Sequence, residues 1–364
     1  MLMNISGSET SESPTAASAA VASEVTANEV ASGAVVGPMI GALAWRILAG
    51  VVVWLVLAFL FNAALTYGWQ WPGPAALLGQ LGWFDFEAPS ASLMGGTLAL
   101  AWLQIGLYAA CIGAVITWVS KTRRRPLMAD AALYSAVAAL IVRAAFWSVF
   151  LVGLADALIS FLRVEGFLPD LVGAALTTKL GLSKFRGLYV HYPLIGLSCV
   201  IAFFTRSVSV VWLAFLVVLA EFQIVISRFV FSYEQALMGD LVRFWYASLF
   251  LLASAYTLVE EGHVRVDVFY ARFSERGKAR ANVVGALVLG LPLCWVILWM
   301  GLDSKAASLA SPMVAFEISQ SGFGMYVKYL MAACLVVFAA AMNTQFAAYF
   351  LRNVAVLRGE RTPG

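Results

Sequence analysis

Eight long, nearly uninterrupted runs of apolar residues limit what this chain can fold into more than any other feature of the sequence. A helix needs about 20 consecutive apolar residues to span the hydrocarbon core of a bilayer, and the runs approach or exceed that length. They lack the strict apolar–polar alternation that transmembrane strands require. Charged residues make up 12% of the chain, against about 25% in soluble domains. The sequence therefore predicts an all-α integral membrane protein with about eight transmembrane helices, at roughly residues 46–68, 93–119, 131–155, 187–204, 208–230, 241–259, 281–300 and 326–348.

The distribution of basic residues predicts how these spans are oriented. If the N-terminus is cytoplasmic, fourteen of the 23 Lys and Arg residues fall in cytoplasmic segments and five in periplasmic ones. Basic residues close to span ends favour the cytoplasmic side, so both termini are predicted to be cytoplasmic. The loop 160–186 holds four of the five exceptions, and we expect it to contain a short surface helix.

The N-terminal segment has a different composition from the rest of the chain. Residues 1–45 are rich in Ser, Ala and Glu and contain no Lys or Arg. A secretory signal has a basic start and an apolar core near the terminus. We therefore interpret 1–45 as a disordered cytoplasmic tail.

The sequence shows no arrangement of residues that is typical of catalysis or of a cofactor. It contains no HExxH, P-loop or GxGxxG motif. His191 is predicted at the periplasmic start of the fourth span and His263 at the cytoplasmic end of the sixth, so a haem held by both is excluded by distance. No cysteine lies near either histidine, as a zinc site would require, and the net charge of +3 gives no indication of nucleic acid. We predict no cofactor, no metal and no enzyme activity, and we interpret the cysteines as small core residues: Cys111, Cys199, Cys294 and Cys334.

Ionisable residues inside spans are costly and therefore indicate function. Arg143 and Glu221 both fall near the middle of predicted spans, and Asp156 falls near the end of the third. One hypothesis is that Arg143 and Glu221 form an ion pair between helices, because an unpaired charge is expensive at low dielectric. The alternative is that each bonds a neighbouring subunit or a buried water.

Several motifs in the second half of the chain resemble a known family. The sequence GHVRVD at Gly262–Asp267 is followed by Ser274 and Arg276, Arg-Phe-Val-Phe ends the fifth span at Arg228–Phe231, and Tyr-Val-Lys-Tyr at Tyr326–Tyr329 opens the last span. From about residue 206 onward this resembles the small membrane subunit of tripartite ATP-independent periplasmic (TRAP) transporters, the DctQ family. The resemblance divides the chain into an N-terminal extension of about four spans, 46–205, and a four-helix small-subunit module, 206–364.

The resemblance implies a role and partners. In this family a periplasmic solute-binding protein captures a small, usually anionic, organic solute, and a large membrane subunit carries the solute and sodium sites and moves as an elevator. The small subunit is a scaffold beside the large one and holds no transport site. The expected partners are the large subunit, the binding protein and membrane phospholipids, with no nucleic acid, in the bacterial inner membrane.

The residues that carry the resemblance are the candidates for contacts with subunits or lipids. The alternation of valine with charged residues in GHVRVD suits a segment that lies on the membrane surface. For His263 two interpretations are open: a hydrogen bond to a headgroup or to the backbone, and a role in sensing pH. Family members often open the second span with two acids, whereas Gly239 precedes Asp240 here. The predicted interface residues are Gly262, His263, Arg265, Asp267, Arg276, Lys328, Arg228 and Asp240.

A function of a different class remains open at this point. The chain is alternatively a self-sufficient membrane channel or a lipid-handling enzyme, with its activity in the first four spans. In that case Arg143 and Asp156 would line a polar pathway.

Overall fold

A computed structural model describes residues 39–83, 86–89, 91–205, 210–259, 270–318 and 324–360. In these ranges the regular structure is helical, and no strand occurs in them. In chain order the helices are α1 Met39–Gly68, α2 Pro74–Gln80, α3 Gly95–Lys121, α4 Leu127–Val164, α5 Leu168–Val172, α6 Ala174–Leu180, α7 Ser183–Phe204, α8 Val210–Phe231, α9 Ala236–Val259, α10 Glu275–Leu302, α11 Ala310–Ala315 and α12 Lys328–Leu357.

Eight of these helices are long and apolar enough to cross a membrane, namely α1, α3, α4, α7, α8, α9, α10 and α12. This confirms the predicted all-α membrane protein. The first helix begins at Met39, so residues 39–45, which we assigned to the tail, belong to α1. In the predicted loop 160–186, α4 continues to Val164, and two short helices, α5 and α6, precede α7.

Two spans contain a π-helical turn that ends two residues before a proline. In α7 the π turn is Gly187–His191 and Pro193 follows; in α10 it is Ala286–Gly290 and Pro292 follows. A proline inside a helix removes one N–H donor and clashes with the carbonyl four residues earlier. Widening the preceding turn relieves that clash, and the helix continues without a break.

The last helix, α12, lies at the centre of the bundle. It contacts α1, α4, α9 and α10, and it is the most buried of the eight spans. Its buried stretches Ala339–Ala341 and Ala347–Ala348 carry small side chains, which let helices approach closely inside a membrane.

The two halves of the chain share their apolar core. One cluster combines Val149 and Val152 of α4 with Phe244 and Trp245 of α9 and with Leu330 of α12. The Trp245 indole N–H donates to the Val149 carbonyl at 3.2 Å. The extension is therefore packed into the same bundle as the second half and does not form a separate layer.

Both ends of the described chain lie at the same end of this bundle. The Trp45 ring contacts Phe350 with 5.7 Å between ring centroids, and the backbone N–H of Met128 donates to Glu360 at 3.4 Å. We call this the terminal end, and we call the opposite one, where α4 ends and α12 begins, the far end.

Candidate functional site: a buried ionic network

A carboxylate and a guanidinium form a fully buried ion pair at the far end. Asp156 near the end of α4 and Arg186 near the start of α7 both have no exposed side-chain surface, and Arg186 Nη1 lies 2.8 Å from Asp156 Oδ1. The same Nη1 donates to Ser160 Oγ at 2.9 Å, and Arg186 Nε donates to the Leu180 carbonyl at 3.0 Å. Taking either charge out of water is costly, and the attraction between the two opposite charges offsets part of that cost.

A histidine extends this pair toward α12. The buried His191 places Nε2 3.0 Å from Asp156 Oδ1, and its Nδ1 lies 2.7 Å from the Tyr329 hydroxyl. His191 is the last residue of the π turn. A π turn holds more residues than a turn of α-helix, so it changes the direction in which the side chains of the turn point. One ring therefore joins α4, α7 and α12.

Two aspartates hold the segment that leads into α12. Asp156 Oδ2 accepts the backbone N–H of Tyr326 at 2.7 Å, and Asp240 Oδ2 accepts the backbone N–H of Met325 at 3.0 Å. Asp156 belongs to the extension and Asp240 to the second half. Successive backbone amides are thus fixed by carboxylates from the two halves of the chain.

The ring of Tyr326 closes the network on its other side. The Arg186 guanidinium carbon lies 4.0 Å from its centroid, and the hydroxyl donates to the Gly181 carbonyl at 2.9 Å. The described residues offer no hydrogen-bond acceptor to Arg186 Nη2, and the aromatic face provides the favourable cation–π contact instead. Arg163 also donates to the Tyr326 hydroxyl.

A close helix approach beside the network depends on Gly187. A Cβ at this position would lie 2.5 Å from ring carbons of Phe316 and 3.2 Å from the Tyr329 hydroxyl. The missing side chain lets α7 meet the loop before α12, with the Phe316 and Tyr329 rings 5.2 Å apart between centroids.

A second buried ion pair lies at the terminal end. Arg46 and Asp130 are each about 1% exposed, and Arg46 Nε lies 2.5 Å from Asp130 Oδ2. Arg46 also donates to the carbonyl and the hydroxyl of Thr122, at 2.6 and 2.7 Å. Arg125, which is partly exposed, reaches the other oxygen of Asp130 at 2.6 Å. This network ties α1 to the connection between α3 and α4.

In both networks a buried carboxylate is paired with a buried arginine, and this pairing limits what the networks can do chemically. At the far end each carboxylate oxygen of Asp156 already accepts at least one hydrogen bond from the protein. Buried polar groups that are paired in this way fix helices relative to one another. The geometry therefore suits a positional role in the bundle.

The predicted partners Arg143 and Glu221 are not brought together. Arg143 Nε donates to the Ala202 carbonyl of α7 at 3.4 Å. Glu221 lies on the exposed side of α8, and no ion pair joins it to Arg143 within the described ranges. The predicted pair is thus not formed inside this chain, because α7 lies against α4 where the partner helix was expected.

Of the other candidate residues that the structure describes, Arg228, Arg276 and Lys328 are exposed and lie on different helices, whereas Asp240 is buried. Gly262, His263, Arg265 and Asp267 fall in 260–269, outside the described residues. Arg276 is exposed in the first turn of α10, where Ser274 Oγ caps the helix by accepting the Gly277 N–H at 3.2 Å. Lys328 Nζ pairs with Glu317 at 2.7 Å, Arg228 with Glu234 at 3.5 Å and Arg243 with Asp240 at 3.7 Å.

The cysteine prediction holds for two residues of four. Cys294 and Cys334 are buried, whereas Cys111 is partly buried and Cys199 is exposed on α7. An apolar run alone does not tell a core-facing position from a lipid-facing one, because both environments are apolar.

Sequence reasoning missed the Asp156–Arg186–His191 network although one signal was present. The sequence marks Asp156 as an acid inside a span, whereas Arg186 falls in the predicted loop 160–186 and His191 at the predicted periplasmic start of the fourth span. The end of one span and the start of the next necessarily meet at the same membrane face. A buried acid near the end of α4 can therefore be reached by a cation at the start of α7.

A groove also opens between α1, α3 and α10, with a volume of about 770 Å³. Its lining combines aromatic side chains, including Phe59, Trp295 and Trp299, with polar groups such as Asn62 and Tyr108. This combination is chemically suited to an acyl chain with a polar head.

One comparison with known proteins gave a match. The family model for tripartite ATP-independent periplasmic transporters, DctQ component, matches residues 214–355. The match covers α9, α10 and nearly all of α8 and α12. Comparisons with curated proteins and with solved structures gave no significant match.

Proposed function

We propose that this chain, which the DctQ family model matches over residues 214–355, is the small permease subunit of a TRAP transporter in the bacterial inner membrane. In that role it is the scaffold for a large, elevator-type subunit. That complex would carry out sodium-driven, binding-protein-dependent uptake of a small, anionic organic solute. DctQ is a transporter component family and not an enzyme family. The family match is the observation that carries this proposal.

The geometry of the bundle supports a scaffold. An elevator needs a support that stays rigid while the moving part slides, and the buried pairs at both ends provide fixed points between helices. The polar cross-links Ser135 to Gln345 at 2.9 Å and Tyr67 to the Leu302 carbonyl at 2.6 Å add ties between the two halves. A rigid bundle in the first half enlarges the anchor that the second half presents.

We further propose that the terminal end is cytoplasmic and the far end periplasmic. The excess of basic residues at the predicted inner segments supports this orientation. The far end would then face the solute-binding protein with residues 303–318 and the ion pair between Lys328 and Glu317. Phospholipid is the proposed occupant of the groove between α1, α3 and α10.

The alternative, a self-sufficient channel or lipid-handling enzyme, required Arg143 and Asp156 to line one pathway. They are separated by about 20 Å along α4 at 1.5 Å per residue. Asp156 is engaged by Arg186, His191 and Tyr326, so its carboxylate is bound within the protein. These contacts favour the scaffold over the channel.

Co-purification tests the proposal with the full-length chain. The chain, with an affinity tag, is co-expressed with a large TRAP permease subunit and a binding protein from the same genome, and the complex is isolated in mild detergent. We expect the large subunit to elute with this chain in a defined ratio. Failure to co-elute, with both proteins monodisperse, would contradict the assignment.

A transport assay tests the sodium-driven step separately. The complex is placed in proteoliposomes with an inward sodium gradient, and the probe is the labelled carboxylic acid that most raises the melting temperature of the binding protein. We expect uptake that depends on sodium and on this chain. Equal uptake by the large subunit alone would contradict a required scaffold.

A further inference from the structure

A carboxylate lies in the middle of the least buried span. Glu221 is the twelfth residue of α8, Val210–Phe231, so about 15 Å of helix separates it from either end. The side chain is exposed, and within the described residues no hydrogen bond or ion pair reaches it. Only 11% of the apolar window of α8 is buried inside the protein, the lowest share of the eight spans.

Lipid is a poor environment for this residue. An acidic side chain at the centre of a transmembrane helix costs about 2.5–3.5 kcal/mol on insertion scales. Intramembrane acids almost always face other protein or a water-filled cavity and find a partner there. The position of Glu221 thus indicates a surface that another membrane protein covers.

The surroundings of Glu221 form a continuous face. Val218 lies one turn before Glu221 and Val225 one turn after it, and Phe222 and Phe229 lie one turn from Val225 on the same side of the helix. Val218, Phe222, Val225 and Phe229 are 62%, 58%, 48% and 79% exposed. The opposite side of α8 is buried on α9 and on the shared core through Leu213 and Ala220. We call the set Val218, Glu221, Phe222, Val225 and Phe229 the α8 face.

A second copy of this chain is a poor occupant of the α8 face. A twofold contact applies the same patch of each subunit to the other, so Glu221 would approach its own copy. Two carboxylates at low dielectric repel each other unless they share a proton. A partner with a basic side chain neutralises the charge instead.

We propose that the α8 face is the surface on which the large membrane subunit docks, and that a Lys or Arg of that subunit pairs with Glu221 inside the membrane. This inference rests on the proposed function, since it takes the large subunit as the partner. Charge complementarity selects the occupant, and the four apolar neighbours exclude lipid and water around the pair. Such a pair fixes register more than it adds affinity.

A crosslinking experiment locates the interface in the full complex. A benzophenone amino acid replaces Phe222 on the α8 face in one variant, and Leu103 on α3, which is 62% exposed, in a control. The same amino acid is also introduced at Val218 and at Val225 in separate variants, so that the result does not depend on whether one position reacts. We expect a covalent adduct with the large subunit from the α8 face and none from Leu103.

Each other outcome has a defined meaning. An adduct from Leu103 while all three α8 positions fail would overturn the inference and leave the proposed function standing. An adduct with the mass of two copies of this chain would overturn the inference and show that a second copy covers the α8 face. If the unmodified chain never co-purifies with the large subunit, the proposed function itself fails.

A pair of substitutions on α8 tests the charge. Glu221→Leu leaves the partner cation without its acid, so we expect recovery of the large subunit to fall at least about tenfold. Gln223→Leu is the matched control, because it removes a polar group two residues away on another side of the same helix, and we expect a change of less than about twofold. Equal effects of both changes, or none from Glu221→Leu, would count against an intramembrane pair. Replacing the partner's basic residue, once crosslinking maps it, with Leu should restore binding to Glu221→Leu.

Discussion

Asp156 and Asp240 accept hydrogen bonds from adjacent backbone amides, those of Tyr326 at 2.7 Å and Met325 at 3.0 Å. One acid comes from α4 and the other from α9, so the start of α12 is held by both halves of the chain. A segment without regular structure is thereby given a fixed position at the far end.

Asp156→Asn removes the charge that neutralises Arg186 while it keeps the shape of the side chain. Because Arg186 is fully buried, its uncompensated charge should destabilise the folded state by about 3–5 kcal/mol. The measurement is thermal unfolding in detergent, followed by intrinsic fluorescence. Asp303→Asn, at an exposed acid, is the control and should leave the melting temperature unchanged; equal shifts for both variants would refute a special role for Asp156.

His191 and Tyr329 should be energetically coupled. Either His191→Phe or Tyr329→Phe leaves a buried polar group without its partner, at a cost of about 1–3 kcal/mol. The double variant should cost less than the sum, with a coupling of about 0.5–3 kcal/mol. The same unfolding measurement on the four proteins gives this coupling, and strict additivity would show that the 2.7 Å contact between them carries no energy.

Gly187→Ala should destabilise the bundle through overpacking. The new Cβ would lie 2.5 Å from the Phe316 ring, and overpacking of this kind costs about 1–3 kcal/mol. Phe316→Leu should recover part of that loss in the double variant, because it removes the atoms in conflict. Gly196→Ala, at a position of α7 where a Cβ meets nothing within 4 Å, is the matched control and should be neutral or slightly stabilising.

The two halves should recognise each other without a covalent link. We expect fragments 1–205 and 206–364, co-expressed with an affinity tag on the first, to co-purify, because α4 and α12 share a buried core. Asp156→Asn in the first fragment should lower recovery of the second. Separate, monodisperse elution of the two fragments would show that the extension is an independent unit.

The sequence predicts the spans well because a helix that crosses the bilayer needs a minimum number of consecutive apolar residues. That number can be counted directly in each run. It also identifies Asp156 as unusual, since an acid in a span stands out against its neighbours. It does not predict the arrangement of the helices: Arg143 bonds the Ala202 carbonyl rather than Glu221, because lipid-facing and protein-facing surfaces are equally apolar. The central position of α12 leaves a trace in its alanine-rich stretches, but small residues alone do not say which helices they meet.

The central position of α12 also has a consequence for biosynthesis. Ribosomes deliver a chain from its N-terminus onward, so α12 enters the membrane after α1, α4, α9 and α10, the four spans that it contacts. Until then the inner surfaces of α1 and α4 lack their neighbour, and Asp156 lacks the amide of Tyr326. A nascent chain that stalls before residue 324 would therefore leave buried polar groups at the far end without the partners that they have in the complete bundle.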